Sequence, residues 1–511
     1  MKNKFIILAT LAIGFAGCEP EFENEVNAAY SSGEADFTRY VAVGNSLTAG
    51  YMDGTVCRVG QTYSYPNLLA QQFALVGGGA FTQPSFAEDV NNLGGFAGSA
   101  GSTRLVIDAA QGRPEPIAGT STITLTPQAK AYNNMGVPGA KSFHLLVPGY
   151  GALNPYFARH ATTPTATVLA DAMTKNPTFF TNWIGSNDVL AYATTGGIGT
   201  DRTGNPNIAT YGVNDITDPT AFAFHYNLII NGGTHPAFGA ITGLTQNGAK
   251  GVVATIPSVT SIPFFTTVPF NALPAEATSS NMAALQLYGF LAQVTGGRIM
   301  PLSTAAGTKN PVLIVDENLS DLGVAISGAA SGIPTLAPFA TALGQLYGRA
   351  RQANANDLIL LTASGKIGQP NPAGTAPFNV NGVSFPLQDG DVLIPSEKTA
   401  IANATAAYNT SIVAIAATKN LAVADMNAIM NQLSTLSGLQ VETNSIYTAN
   451  YFSGSGTEGQ VLFSLDGVHP NARGYAVIAN EIIKVINAKY KSNLPLHNPT
   501  YFPGISILPT N

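Results

Sequence analysis

Charge is scarce in this chain. Only 10% of its 511 residues are Asp, Glu, Lys or Arg, against roughly 25% in an average soluble protein, so Asn, Thr, Ser, Ala and Gly supply much of the surface. The formal net charge is −6 and no Lys/Arg cluster or basic stripe occurs, which argues against a nucleic-acid partner. Cysteine is scarcer still. With two residues, Cys18 and Cys57, a framework of several disulfides is excluded. HExxH, CxxC and EF-hand spacings are missing, and Asp389-Gly390-Asp391 reads as a turn rather than a calcium loop. No metal or cofactor is therefore expected. Long apolar runs are also absent after the first residues, so no further membrane-crossing segment is expected.

What is present starts at the N-terminus. Met1-Lys2-Asn3-Lys4 is basic, Phe5 to Phe15 is an apolar run, and Ala16-Gly17-Cys18 closes it with small residues. This pattern resembles a bacterial lipoprotein signal peptide over residues 1–17, with Cys18 as the lipidated new N-terminus; the alternative is a plain secretory signal cut nearby, with Cys18 left as a thiol. The resemblance implies a lipid-anchored protein of the cell envelope, expected at the outer membrane. Cys57 is then left without a partner, and a lone cysteine is more often a small buried hydrophobe than a nucleophile. Residues 18–38 form an acidic tether with Glu19, Glu21, Glu23 and Glu25. Such a start is either a surface-export signal or a solvated spacer.

From about residue 40, apolar runs alternate with helical periodicity, which predicts an α/β fold with a mostly parallel sheet and helices on both faces. Strands are expected near 40–43, 131–135, 178–184, 251–256 and 421–425. Helices are expected near 65–75, 166–174, 221–230, 337–352 and 397–418. Asp425 reads as a cap or turn residue after the last strand. Residues 266–394 are too long for a loop and should contain their own structure, either shaping or covering the substrate pocket or elaborating the scaffold away from it. Residues 81–130 form a second, Gly/Ser/Thr-rich insertion. One domain spanning 39–490 and a tail at 491–511 complete the division.

The chemistry lies in two short segments far apart in the chain. Gly44-Asn45-Ser46-Leu47 follows the apolar run Tyr40-Val41-Ala42-Val43, so a sharp turn would lift the Ser46 hydroxyl to the carboxyl edge of a sheet. A serine nucleophile needs a histidine in reach and a carboxylate to fix that histidine's tautomer. Asp466-Gly467-Val468-His469 supplies both, ahead of an amphipathic helix opened by Pro470 and Asn471 with Tyr475, Ile478, Ile482 and Val485 on its apolar face. Either segment alone is ordinary turn chemistry. Between them, Asn134-Met135-Gly136-Val137-Pro138-Gly139-Ala140 and Gly185-Ser186-Asn187-Asp188 are candidates to supply oxyanion donors. The remaining histidines, His144, His160, His225, His235 and His497, lack an aspartate three residues ahead and read as surface or structural groups. Trp183 reads as a core residue close enough in sequence to Asn187 to line a pocket.

Taken in order, these four segments resemble the sequence blocks of the SGNH, or GDSL, hydrolase superfamily. The resemblance implies a three-layer α/β/α sandwich, flavodoxin-like and carrying large insertions. It implies Ser46 as nucleophile, Asp466 and His469 as acid and base, and an oxyanion hole made by Ser46, Gly139 and Asn187. Gly248 to Pro257 is similar to a further strand of the family. Asn45 stands where the family usually has aspartate; an amide keeps the hydrogen-bond acceptor and loses the charge. Gly-x-Ser-x-Gly is absent around Ser46, which disfavours the α/β-hydrolase alternative. The implied function is a serine esterase or lipase acting on carboxylic esters, with lipid acyl esters favoured. A carbohydrate acetylesterase and a non-catalytic surface binding lipoprotein are the alternatives.

Overall fold

The computed structural model describes residues 29–98, 103–110, 112–275, 282–441, 445–452, 460–505 and 507–508. The signal peptide, Cys18 and the four glutamates after it lie outside the described residues.

Five strands form the central sheet: β1 (Tyr40–Gly44), β2 (Asn134–Gly136), β3 (Phe179–Trp183), β4 (Lys250–Ala254) and β5 (Ala422–Ala424). Their order is β2-β1-β3-β4-β5, and every neighbouring pair is parallel. Buried on both faces, parallel strands need near-continuous apolar runs, and β1 and β3 are buried at every position. Side chains alternate between faces. Val41, Val43, Phe180 and Val253 join one core cluster, while Tyr40, Ala42, Phe179 and Val252 join another.

Eight helices bear on the sheet or the site: α1 (Ser46–Ala49), α2 (Tyr65–Ala74), α3 (Val168–Met173), α4 (Asn187–Thr194), α5 (Pro219–Asn231), α6 (Pro395–Thr418), α7 (Met426–Leu433) and α8 (Ala472–Tyr490). Apolar residues of α3, α5 and α6 enter the first cluster; those of α2 and α8 enter the second. By length and composition α6 is apolar enough to cross a membrane, which corrects the expectation that no such segment follows the signal. Its Ile401, Ala404, Tyr408, Ile412 and Ala416 pack into the core, and that packing accounts for its apolarity.

Two expectations about the periphery change. The helix expected near 337–352 stops at Tyr347, because residues 350–352 pair antiparallel with 313–315. The chain on either side of the expected domain is packed where it is described. Ala35 and Phe37 belong to the core, as does Leu494, and residues 507–508 pair with 107–108 of the insertion at 81–130.

The stretch 266–394 builds a core of its own from residues such as Leu287, Tyr288, Leu313, Ile314, Leu343 and Tyr347. Its apolar run at 358–361 supplies a two-residue strand, Leu358–Ile359, paired with Val392–Leu393.

Candidate active site

Ser46 is lifted out of the sheet by a turn with no room for a side chain at its first residue. A Cβ on Gly44 would stand 2.2 Å from Thr48 Oγ1 and 2.5 Å from Trp183 O, so only glycine fits between α1 and β3. Asn45 then caps α1, its Oδ1 accepting the Leu47 N–H at 3.0 Å. An amide suffices for this acceptor role. Ser46 opens the helix, so its own N–H has no partner within it.

The second half of the site arrives 423 residues later. His469 Nε2 lies 2.8 Å from Ser46 Oγ, and His469 Nδ1 lies 2.9 Å from Asp466 Oδ2. Asp466 Oδ1 accepts from Val468 N–H, His469 N–H and Ser464 Oγ–H at 2.8, 2.8 and 3.0 Å. Gly54 N–H donates to Oδ2 at 3.1 Å. Burial pushes the Asp466 carboxyl up, but the adjoining His469 charge and these hydrogen bonds outweigh it and hold the group below its ordinary range. A carboxylate only accepts, so Nδ1 carries a proton, and in the neutral imidazole Nε2 then presents its lone pair to the Ser46 hydroxyl. Gly467 has a φ of +70°, and a Cβ there would press within 2.8 Å of Leu361 and 3.1 Å of Phe264 N. Glycine at this position therefore lets the loop fold tightly between Asp466 and His469. Asn471 ends the loop by capping α8 through the Gly474 N–H.

Gly139 and Asn187 reach the same edge of the sheet from β2 and β3. Gly44 pairs with Gly136 on one side and with Trp183 on the other, so all three loops leave from adjacent strand ends. Asn187 is the first residue of α4, is buried, and donates from Nδ2 to Ala140 O at 2.9 Å. That bond ties it to the loop carrying Gly139 and leaves the second N–H of the same amide free of this contact. Asp188 fastens the two loops again, accepting from Ser142 N–H and Ser142 Oγ–H at 2.8 Å each. Gly139 is exposed and is not one of the residues lining the cleft at Ser46.

A cleft at the site is lined by Ser46, His469, Asn187 and Trp183. The apolar stripe of α7, Met426, Ile429, Met430 and Leu433, also lines it, together with Val259 and Ile262. These four residues recur at i, i+3, i+4 and i+7, a helical signal visible in the sequence; what it could not disclose is that the stripe faces Ser46. None of the described residues of 266–394 lines the cleft. Asp425 caps α7 through the Ala428 N–H, as its position after the last strand implied.

The groups outside the site have visible structural uses. His160, His225 and His235 are buried, and burial pushes His160 and His225 down to about 4. Cys57 is buried and accepts from Gly60 N–H. Residues 389–391 form a turn, yet Asp389, Glu317 and Glu397 bring carboxylate oxygens within 4.8 Å of one another. Among the described residues this is the one group close enough to hold a cation, and none of its members lines the cleft. Comparison with family models, curated proteins and solved structures finds no match to this chain.

Proposed function

We propose that this chain is a serine ester hydrolase of the SGNH/GDSL kind, a three-layer α/β/α sandwich of flavodoxin-like order with large insertions. The observation that carries the reading is the Ser46–His469–Asp466 relay at the mouth of an apolar cleft. The strand order and the position of the site support it, since open parallel sheets bind ligands beyond the strand carboxyl ends where the order reverses.

In the mechanism that follows, Ser46 Oγ attacks the ester carbonyl carbon while His469 Nε2 takes its proton, and Asp466 stabilises the resulting imidazolium. Ser46 N–H, Gly139 N–H and the second Asn187 N–H are the proposed donors to the oxyanion. Collapse breaks the bond to the alcohol, which leaves with the proton from His469. Water, deprotonated by the same nitrogen, then releases the acid from the acyl-enzyme. No cofactor enters these steps.

The α7 stripe favours an ester with an apolar acyl chain, such as a lipid ester, because an acetyl group would leave that wall uncovered. Lipid attachment at Cys18 would hold the enzyme at the envelope membrane; Cys18→Ser should release it from the membrane fraction with catalysis unchanged. The function itself is tested with p-nitrophenyl esters of increasing chain length on protein starting after Cys18. Medium chains should be cleaved at least as well as acetate, and the Ser46→Ala protein should cleave neither. Strict acetate selectivity with release of acetate from a polysaccharide would replace the lipid ester by an acetylated sugar. An inert but folded wild-type protein would overturn the enzymatic reading.

A further inference from the structure

The chain following α1 doubles back as a short hairpin, Tyr51–Met52 against Thr55–Val56. Its two turn residues both have left-handed backbones, Asp53 at φ 54° and Gly54 at φ 82°, the requirement of a two-residue type I′ turn. In that conformation both turn residues bond to the loop bearing the acid and base. Asp53 N–H donates to Ser464 Oγ at 3.0 Å, and Ser464 Oγ–H passes the contact on to Asp466 Oδ1 at 3.0 Å. Asp53 Oδ1 accepts the Leu465 N–H at 3.1 Å, and Gly54 N–H reaches Asp466 Oδ2. The Tyr51 ring stands 4.5 Å from the His469 ring, and its backbone carbonyl accepts from the Tyr475 Oη–H of α8 at 2.7 Å. Asp53 is 4% exposed, with Arg104 at 3.9 Å from its other oxygen.

We propose that Asp53 is a positioning residue for the Ser46–His469–Asp466 relay, holding both residues ahead of Asp466 so that the acid keeps the orientation that aligns His469. The inference rests on the hydrolase reading above. Its physical basis is that a group orienting a catalytic histidine needs its own rotamer locked by surrounding bonds. Asp53 supplies one such bond from its backbone and one from its side chain, from a hairpin that starts directly after the helix carrying Ser46. Burial raises the Asp53 carboxyl to about 7, the Leu465 N–H opposing, Asp466 adding to the rise and Arg104 opposing again. This limits the build-up of a second full negative charge behind Asp466 near neutral pH.

The test compares Asp53→Ala and Asp53→Asn in the protein starting after Cys18, using a p-nitrophenyl ester and the downfield proton resonance of His469 Nδ1–H. Asp53→Ala should lower kcat by roughly 10- to 100-fold with little change in KM, the usual cost of losing a group that supports an orienting contact. It should also shift or broaden the resonance. Asp53→Asn should recover most of the loss, because its amide oxygen still accepts the Leu465 N–H. If the alanine protein does not fold, Ser464→Ala removes the hydroxyl between Asp53 N–H and Asp466 and should lower kcat in the same way. Wild-type kcat and an unmoved resonance in Asp53→Ala, or in Ser464→Ala where the former is unfolded, would overturn the positioning role. A wild-type protein that cleaves no ester and leaves Ser46 unlabelled by a fluorophosphonate would instead overturn the hydrolase reading.

Discussion

The residues around the site and the stretch 266–394 spend their polar groups in opposite ways. At the site, Asp466 and His469 bond each other within one loop, and four further bonds join that loop and α8 to the segment around Ser46, 411 to 424 residues away. In the stretch 266–394, Arg351 pairs with Asp316 and Asp357, 35 and 6 residues away, and Tyr288 bonds Val383 within the same unit. One region ties the two ends of the chain together; the other folds mainly onto itself. The difference teaches that the reactive geometry depends on closing the chain ends around the sheet. The large insertion meets the site loop where Leu361 lies beside Gly467, and none of its described residues lines the cleft.

Four results would break or sharpen this contrast. The largest effect belongs to the relay: Ser46→Ala and His469→Ala should each lower kcat by about 10⁴- to 10⁶-fold with the fold intact, since triad members act as a unit. Ordinary turnover in either folded variant would break the contrast outright. Next comes Asn187→Ala, with a loss of about 10²- to 10³-fold in kcat and a smaller change in KM, as for a donor acting on the developing oxyanion. A change confined to KM would make Asn187 a ground-state contact instead.

The third result separates the two regions directly. Ile429→Trp, at a half-buried position on the cleft wall, should depress kcat/KM for medium-chain esters relative to acetate by about 10-fold, within the range for lost apolar pocket contacts. Leu313→Ala, buried in the insertion core, should cost about 2–5 kcal/mol of stability and leave that ratio alone. A ratio that follows Leu313 and ignores Ile429 would reverse the assignment.

The fourth result concerns stability against pH. Folding raises the Asp53 carboxyl from its ordinary value to about 7, so the folded state holds a proton that the unfolded chain releases near pH 4. Asp53 therefore favours the folded state fully at low pH, and that contribution is lost as the pH rises from about 4 to about 7. The melting temperature of Asp53→Asn should accordingly gain on wild type across that window and stay level above it. A difference independent of pH would show that Asp53 does not titrate there.

Much of the sheet was legible because its interior strands are apolar runs ended by small residues. The expected 40–43, 178–184, 251–256 and 421–425 fall on β1, β3, β4 and β5. β2 is shorter than the expected 131–135 and reads as polar, since Asn133 Nδ2 bonds Tyr40 O and Asn134 Nδ2 bonds Thr48 O. Those asparagines serve as fasteners for β1 and α1, a purpose that appears only once the strands are paired. The helix expected to 352 ends early for a similar reason: residues 350–352 pair with 313–315, and Arg351 binds Asp316 beside that partner strand and Asp357 further along its own segment. At the site, residue types and order pointed to Ser46, Asp466 and His469 because the chemistry demands those groups. Asp53-Gly54 was visible as a turn signal, but its partners lie 411 and 412 residues away, beyond the reach of any local pattern.

The central claim is that Ser46 is an activated nucleophile, and covalent labelling tests it most directly. The protein starting after Cys18 would be treated with a fluorophosphonate at neutral pH and the modified residue located by peptide mass spectrometry. The adduct should sit on Ser46, be absent from Ser46→Ala, and form far more slowly in His469→Ala, where no base takes the proton. A folded wild-type protein with no adduct, or with labelling at Ser46 unchanged by loss of His469, would contradict the account.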